Sequence, residues 1–420
     1  MRFRPFRAIR PRDSEVAARV AALPYDVMTT AEARQMVVGN PDSFLHVDKA
    51  EIDLDPAINP YDDAVYAQAR ANLAGLIDRG LLVHDPDRCY FLYRLTADGH
   101  SQTGVVGCAG VDDYLDGAIK KHELTRADKE EDRVRHVDTL DANTGPIFLA
   151  MKPLAALDRL VADWSALHPP LFDFEAAGGV RHTVYRVHDP AAVDQIEALF
   201  GSLDALYIAD GHHRCASAVR VAKARREAQP DFDPEAEFNF FLAVVFPADQ
   251  LRIMDYNRVV ADLNGLTPHH LLRDAAERFA IEPAPHSPYR PSRKHDFGCY
   301  LDGTWYVLRA RPEFVDDDDP VDSLDAVVLQ DNLLSYLLGI DDPRTDHRID
   351  FVGGIRGPGE LARRVDAAGQ GAAFTLYPVS MADLLAVADA GEIMPPKSTW
   401  FEPKLLSGLF VHELRPGPMA

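Results

Sequence analysis

The chain reads as a mixed α+β protein, and three observations predict it. Short strand-like apolar segments and amphipathic helical segments both recur along its whole length. They alternate without the regular rhythm of a doubly wound parallel sheet. Of the 420 residues, 47% are hydrophobic and 26% charged, enough apolar material for more than one core. At ~150 residues per domain, the length predicts two or three domains.

The elements follow in order. Residues 3–9 alternate and then meet Pro11, which predicts a first strand. Leu23-Pro24-Tyr25-Asp26-Val27 is a tight loop, after which Thr29 or Thr30 caps a helix over 31–38, with Glu32 in its first turn. Residues 63–79 are strongly amphipathic and stop at Gly80. Strands are predicted over 89–95 and 102–111, joined by a turn at Asp98-Gly99-His100. Helices follow over 156–166 and 190–199. Leu206-Tyr207-Ile208-Ala209 is a short buried strand running into Asp210-Gly211, and an Ala- and Arg-rich helix covers 213–229. Strands are expected over 240–246 and 251–258, a helix over 269–279, and a hairpin of 297–300 and 305–309 around Asp302-Gly303. Residues 323–338 read as a helix, 372–377 as a strand, and 381–390 as a helix closed by Gly391. A short polar stretch over 260–267 separates two such sets and places a boundary there, giving domains 1–262 and 263–420.

Charge and composition exclude several functions. Lys plus Arg is 44 and Asp plus Glu 66, a net −22. Phosphate neutralisation along a nucleic acid needs a basic face, so non-specific nucleic-acid binding is not expected. A small basic pocket for a phosphorylated metabolite stays compatible with that charge. No run approaches the ~18 apolar residues of a membrane span, and the charged start lacks the apolar core of a secretory signal. Cys89, Cys108, Cys215 and Cys299 are scattered with no CxxC pair. They read as small buried residues with reduced thiols, in a cytoplasmic protein. The acidic run 316–319 reads as a solvated loop.

Three segments carry more ionisable chemistry than a surface needs. The first runs from Lys120 to His136. From Asp128 onward it reads as a solvated helix face. Lys121-His122-Glu123-Leu124-Thr125-Arg126 is different: it follows the end of a strand pair, where imidazole, carboxylate and cations together can supply a base held among positive charges. The second is Asp210-Gly211-His212-His213-Arg214. Here an apolar strand meets a turn and the first turn of a helix, an anion site built from backbone N–H groups and the positive helix end. His212, His213 and Arg214 add donors suited to a polyphosphate, and Gly211 allows close approach. The alternative is architectural, with Asp210 as a helix cap. The third is Met394 to Lys404, a loop stiffened by Pro395 and Pro396. Lys397, with Ser398 and Thr399, can clamp a carboxylate or phosphate there. A fourth stretch, Arg348 to Gly357, is glycine-rich but lacks both GxxxxGK[ST] and GxGxxG spacing, so its phosphate-loop signal is weak.

A strand followed by Asp210-Gly211-His212-His213-Arg214 resembles the ParB and sulfiredoxin superfamily. Within it, the set resembles the free serine kinases, which pair an upstream His-Glu with this turn and carry a Gly-Glu-x-x-x-Pro-Lys-[ST]-Thr stretch near the C-terminus. Here these are His122-Glu123, residues 210–214, and Gly391-Glu392 through Pro396-Lys397-Ser398-Thr399, in the same order. After Thr399 the chain has Trp-Phe where those kinases carry Arg-His. The full chain also looks like a bacterial and archaeal family catalogued as domain of unknown function 1015. Its features appear here as Pro24 to Val27, Asn40 to Val47, the Lys120 to Glu123 segment, Asn143 to Pro146, and Arg348 to Gly357.

The resemblance implies a ParB/sulfiredoxin-like nucleotide-binding core with large insertions and a C-terminal α+β domain contributing a substrate loop. It implies a kinase, a transferase of serine metabolism that moves a phosphoryl group from ATP or ADP with Mg²⁺ to free L-serine. Glu123 would be the general base, with His122 beside it. Asp210 would hold Mg²⁺ or order the histidines. Gly211, His212, His213 and Arg214 would bind nucleotide phosphates, and Lys397, Ser398 and Thr399 the substrate. Lys121 and Arg126 would add accessory positive charge. The alternative is a non-catalytic, ParB-like nucleotide-binding regulatory protein, which shares the turn but needs neither Glu123 nor Lys397.

Overall fold

The structure, a computed structural model, describes residues 1–176 and 178–415. The chain forms two compact units. The first comprises 1–120, 125–251 and the described residues from Pro403; the second comprises 121–124 and 252–402. The sequence reading puts its boundary at 262/263, whereas the units divide at 251/252 and the chain returns to the first at Pro403.

The first unit is built on a mixed nine-stranded sheet. Its strands run in the order Ile119–Lys120, Leu206–Asp210, Ile147–Met151, Phe240–Pro247, His100–Gly110, Tyr90–Ala97, Arg181–Val187 and Phe172–Glu175, with Phe3–Arg4 added beside His100–Gly110. Leu206–Asp210 pairs parallel to Ile119–Lys120 and antiparallel to Ile147–Met151, so the α+β, mixed-sheet expectation holds. Asp98 and Gly99 turn the central hairpin with φ of 51° and 74°, the left-handed pair that matches strand twist. One face of the sheet buries Leu92, Val105, Leu149, Ile208 and Phe241 under helices Ala155–Leu167, Pro190–Gly201 and His212–Ala228. A four-stranded sheet, Leu82–His84, Ala8–Pro11, Val411–Glu413 and Ala142–Asn143, supports a smaller core with helix Asp63–Asp78. Thr29 caps helix Thr30–Met36 in a capping box with Glu32.

The second unit carries a six-stranded sheet in the order Phe279–Pro283, Thr304–Ala310, Asp296–Leu301, Ala372–Thr375, Tyr256–Val260 and Ile349–Gly353. Every pairing in it is antiparallel. One core holds Val260, Phe297, Leu308, Leu333 and Phe374. A second, around Trp305, Val307, Val352 and Leu361, lies with helix Pro358–Ala368.

Several expected elements break where backbone chemistry demands it. The predicted strand over 3–9 is two strands in two sheets, separated by Pro5, which has no N–H to give a ladder. The strand over 251–258 divides at Asp255 into Arg252–Met254 and Tyr256–Val260, again in different sheets. The helix over 269–279 stops at Ala275, and Phe279 opens a strand. The helix over 323–338 contains a short α segment, Asp325–Leu329, followed by a π-helical turn. The solvated-face reading from Asp128 onward is also corrected. In helix Ala127–Leu140, Asp132, Arg133 and His136 are buried. Finally, no phosphate cradle is needed to explain Gly353 and Gly354: side chains there would collide with Trp400 and Asp255. All four cysteines are buried free thiols, and burial pushes Cys89 up to about 12. No described helix is long and apolar enough to cross a membrane.

Candidate functional site

In the first unit the turn begins with a bulge. Pairing between Leu206–Asp210 and Ile147–Met151 shifts register between Ile208 and Asp210, which re-aims the strand end. Gly211 follows at φ 93°, where a Cβ would also stand 3.0 Å from the Arg214 Nε, so only glycine suits the position. The 17-residue helix His212–Ala228 starts there, and no side chain of its N-cap residue closes the first turn. Asp210 Oδ1 accepts the Gly211 N–H at 2.8 Å, and Oδ2 meets Lys404 Nζ at 3.1 Å. Burial alone would raise this carboxyl. The positive charges of Lys404 and then Arg214 outweigh it and hold Asp210 well below the usual carboxylate range.

Arg214 turns inward. Its Nη1 donates to the Pro146 carbonyl at 2.6 Å. Burial opposes its charge, yet Asp26, Asp210, Tyr25 and Asp48 together raise the guanidinium above its ordinary value. Arg214 lines a cavity of about 30 Å³ with Tyr25, Asp48, Arg133, His136 and Thr144. Arg133 lies 4.0 Å over the Tyr25 ring and pairs with Asp132 at 2.7 Å, while Thr144 donates to Asp48 at 2.9 Å. His136 donates to the Val47 carbonyl; burial and the Arg133 charge push it down to about 4. His213 Nε2 accepts the Arg126 N–H at 3.0 Å, and the exposed Arg126 guanidinium spans both oxygens of Asp128.

In the second unit the structure joins two of the predicted segments. His122, buried, accepts the Met394 N–H at its carbonyl at 2.8 Å, and its Nε2 makes a long 3.4 Å contact with Thr399 Oγ1. Glu123, beside it, is half-buried and Lys121 exposed. Lys397 is exposed, holds φ 59°, and sets its Nζ 5.8 Å from the Tyr256 ring. Ser398 is buried and donates to the Pro395 carbonyl at 2.7 Å, which closes the loop on itself. Thus Asp210 to Arg214 gather with Arg126 in the first unit, and His122 and Glu123 with Lys397 to Thr399 in the second.

Sequence reasoning missed Lys404 as the partner of Asp210, and Asp26 and Asp48 as the acids around Arg214. Lys404 left a signal as an ionisable residue closing a proline-rigid loop, and Asp26 as part of the Pro24 to Val27 segment. The charged turn, with its aimed helix start, can hold an anion. The carboxylate and imidazole at 122–123 can hold and move a proton.

Among curated proteins, nothing matches this chain. Among solved structures, the chain is similar to a free serine kinase in complex with AMP, at 14% identity and TM-score 0.36, covering 71% of this chain and 86% of that one. It is similar to a variant free serine kinase in complex with ADP, at 15% identity and TM-score 0.35, covering 71% and 87%. A conserved hypothetical protein from Pyrococcus furiosus matches at 13% identity and TM-score 0.35, covering 74% and 95%. A family model matches residues 3–327, most of the described chain, and by that match the chain belongs to the family described as Protein of unknown function (DUF1015).

Proposed function

We propose that this protein is a small-molecule kinase that transfers a phosphoryl group from ATP or ADP to free L-serine. The observation that carries the reading is the Asp210–Gly211 turn. A bulged strand end, a left-handed glycine and the start of a long helix make an anion site. The motif order supports the rest.

In this reading the first unit receives the nucleotide phosphates at Gly211, His212 and His213. Arg214 acts as a positioning residue, since its guanidinium is bonded to Pro146. Asp210 was expected to hold Mg²⁺. It does not fit as a metal ligand in this conformation, because one oxygen takes the Gly211 N–H and Lys404 stands at the other. Mg²⁺ then belongs to the nucleotide substrate, and Lys404 supplies the fixed positive charge beside Asp210.

The second unit receives the acceptor. Glu123 orients the serine hydroxyl and takes its proton as the oxygen bonds to the terminal phosphorus and the bond to the leaving phosphate breaks. His122 steadies the base, Lys397 and Thr399 bind the serine carboxylate, and Lys121 adds positive charge; Arg126 adds it in the first unit, beside His213. Transfer requires acceptor oxygen and phosphorus to meet at ~3–3.5 Å.

The test is incubation of the full chain with ATP or ADP, Mg²⁺ and a panel of hydroxy amino acids, read by mass spectrometry. O-phosphoserine is expected. Glu123→Gln should cut turnover roughly 10²–10⁴-fold while nucleotide affinity stays. Failure of every acceptor with both donors would leave the regulatory nucleotide-binding reading in its place.

A further inference from the structure

Arg258 lies on the strand Tyr256–Val260 of the second unit and is 4% exposed. A buried arginine is ordinarily paired with an acid. Here one of its N–H groups donates to the Tyr256 carbonyl at 2.7 Å, and its guanidinium packs 4.6 Å from the Phe351 ring. No carboxylate pairs with it among the described residues, and burial pulls its pKa down to about 10.

The register explains why it is there. Tyr256, Arg258 and Val260 alternate onto one face of the strand, so Arg258 occupies a core position between an aromatic and a valine. Its direct cross-strand partners are Phe351 and Phe374, which bring no carboxylate. At the Tyr256 end of the same face, Trp400 packs edge-on to Tyr256 at 5.3 Å, and Lys397 Nζ stands 5.8 Å from that ring. The guanidinium makes no further hydrogen bond among the described residues.

An uncompensated buried guanidinium is costly to the empty protein and matches an oxyanion in two parallel hydrogen bonds. We propose that Arg258 is the receptor for the oxyanion of a small ligand, a carboxylate or a phosphate, held on the aromatic face of the second unit that Lys397 borders. The proposal goes beyond the kinase reading and does not need it, because the receptor requires no nucleotide and no transfer.

The test is calorimetric titration of the full chain, without nucleotide, with sodium phosphate, L-serine, L-serinamide and O-phospho-L-serine at fixed ionic strength. At least one anionic probe should bind. Serine binding without serinamide binding identifies a carboxylate site, and phosphate binding without serine binding a phosphate site. Arg258→Met should weaken the binding probe about ten- to a hundred-fold, the loss of a charge-assisted bond. Arg258→Lys keeps the charge without the fork and should fall between the two, and it decides the matter if the methionine variant does not fold. Unchanged affinity in the lysine and methionine variants, or no binding of any probe to the wild type, overturns the proposal. A wild type that binds the anion but transfers no phosphoryl group keeps Arg258 and loses the kinase reading. An Arg258→Met variant that phosphorylates serine with wild-type kcat and KM and also binds the anionic probe with wild-type affinity does the reverse.

Discussion

Arg214 in the first unit, half-buried, and Arg258 in the second, buried, are treated in opposite ways. Asp26, Asp210 and Asp48 surround the first and raise its pKa. The second has aromatic neighbours, one carbonyl bond and a lowered pKa. Burial penalises both charges; what differs is whether the chain supplies the counter-charge itself. Where it does, the arginine is architecture that holds the nearby turn. Where it does not, a ligand is left to complete the pair.

The comparison is most easily broken at Arg214. Arg214→Met removes the cation that Asp26, Asp210 and Asp48 face, with Lys404 still partnering Asp210, and should cost about 3 kcal/mol in urea unfolding. A variant as stable as the wild type would remove the architectural half of the contrast.

Acid should separate the two units next. His182 in the first unit is buried, hydrogen-bonded to Tyr93 at 2.7 Å, and pushed down by burial to about 4. The unfolded chain therefore binds its proton first, so its contribution is full above pH ~6.5 and is lost as pH falls toward 4, about 3 kcal/mol in all. His136 shifts the same way. In the second unit, Asp325 raises His295 despite burial, so its contribution is present below pH ~6.5 and is lost as pH rises through the folded value. Hydrogen exchange at pH 7 and 5 should show the first unit losing protection on acidification, and His182→Gln should flatten that loss.

Lys404→Met sharpens the account of Asp210. It removes a charge-assisted bond and should cost about 2 kcal/mol, with the Asp210 carboxyl titrating higher in NMR. The smallest effect belongs to Arg258. Arg258→Met should move stability by less than about 1 kcal/mol, toward greater stability, because it removes an uncompensated charge from an apolar face. A large loss in thermal unfolding would make Arg258 as architectural as Arg214.

Much of the fold was legible because its signals are local. Thr29 with Glu32, Gly80 after helix Asp63–Asp78, and the Asp98-Gly99 and Asp302-Gly303 turns depend on backbone conformations that few residue types allow. The turn at Asp210-Gly211 was legible for the same reason. The errors fall where long-range pairing outvotes local pattern. Nothing within residues 3–9 or 251–258 says that neighbouring residues will join different sheets.

The sequence by itself determined the α+β class, the helix starts and stops that carry a cap or a glycine signal, and which short segments concentrate ionisable groups, because propensity, capping and charge are written within a few residues. Only the tertiary structure decided which charges are compensated. Lys404 lies 194 positions from Asp210 in the chain. Asp132, Arg133 and His136 look solvated on a charged helix and are buried. Arg258 looks like one more surface cation in an acidic chain, until its strand sets it between Phe351 and Phe374. A charge's cost and its use depend on burial and on partners within a few ångströms, and folding alone brings those partners together.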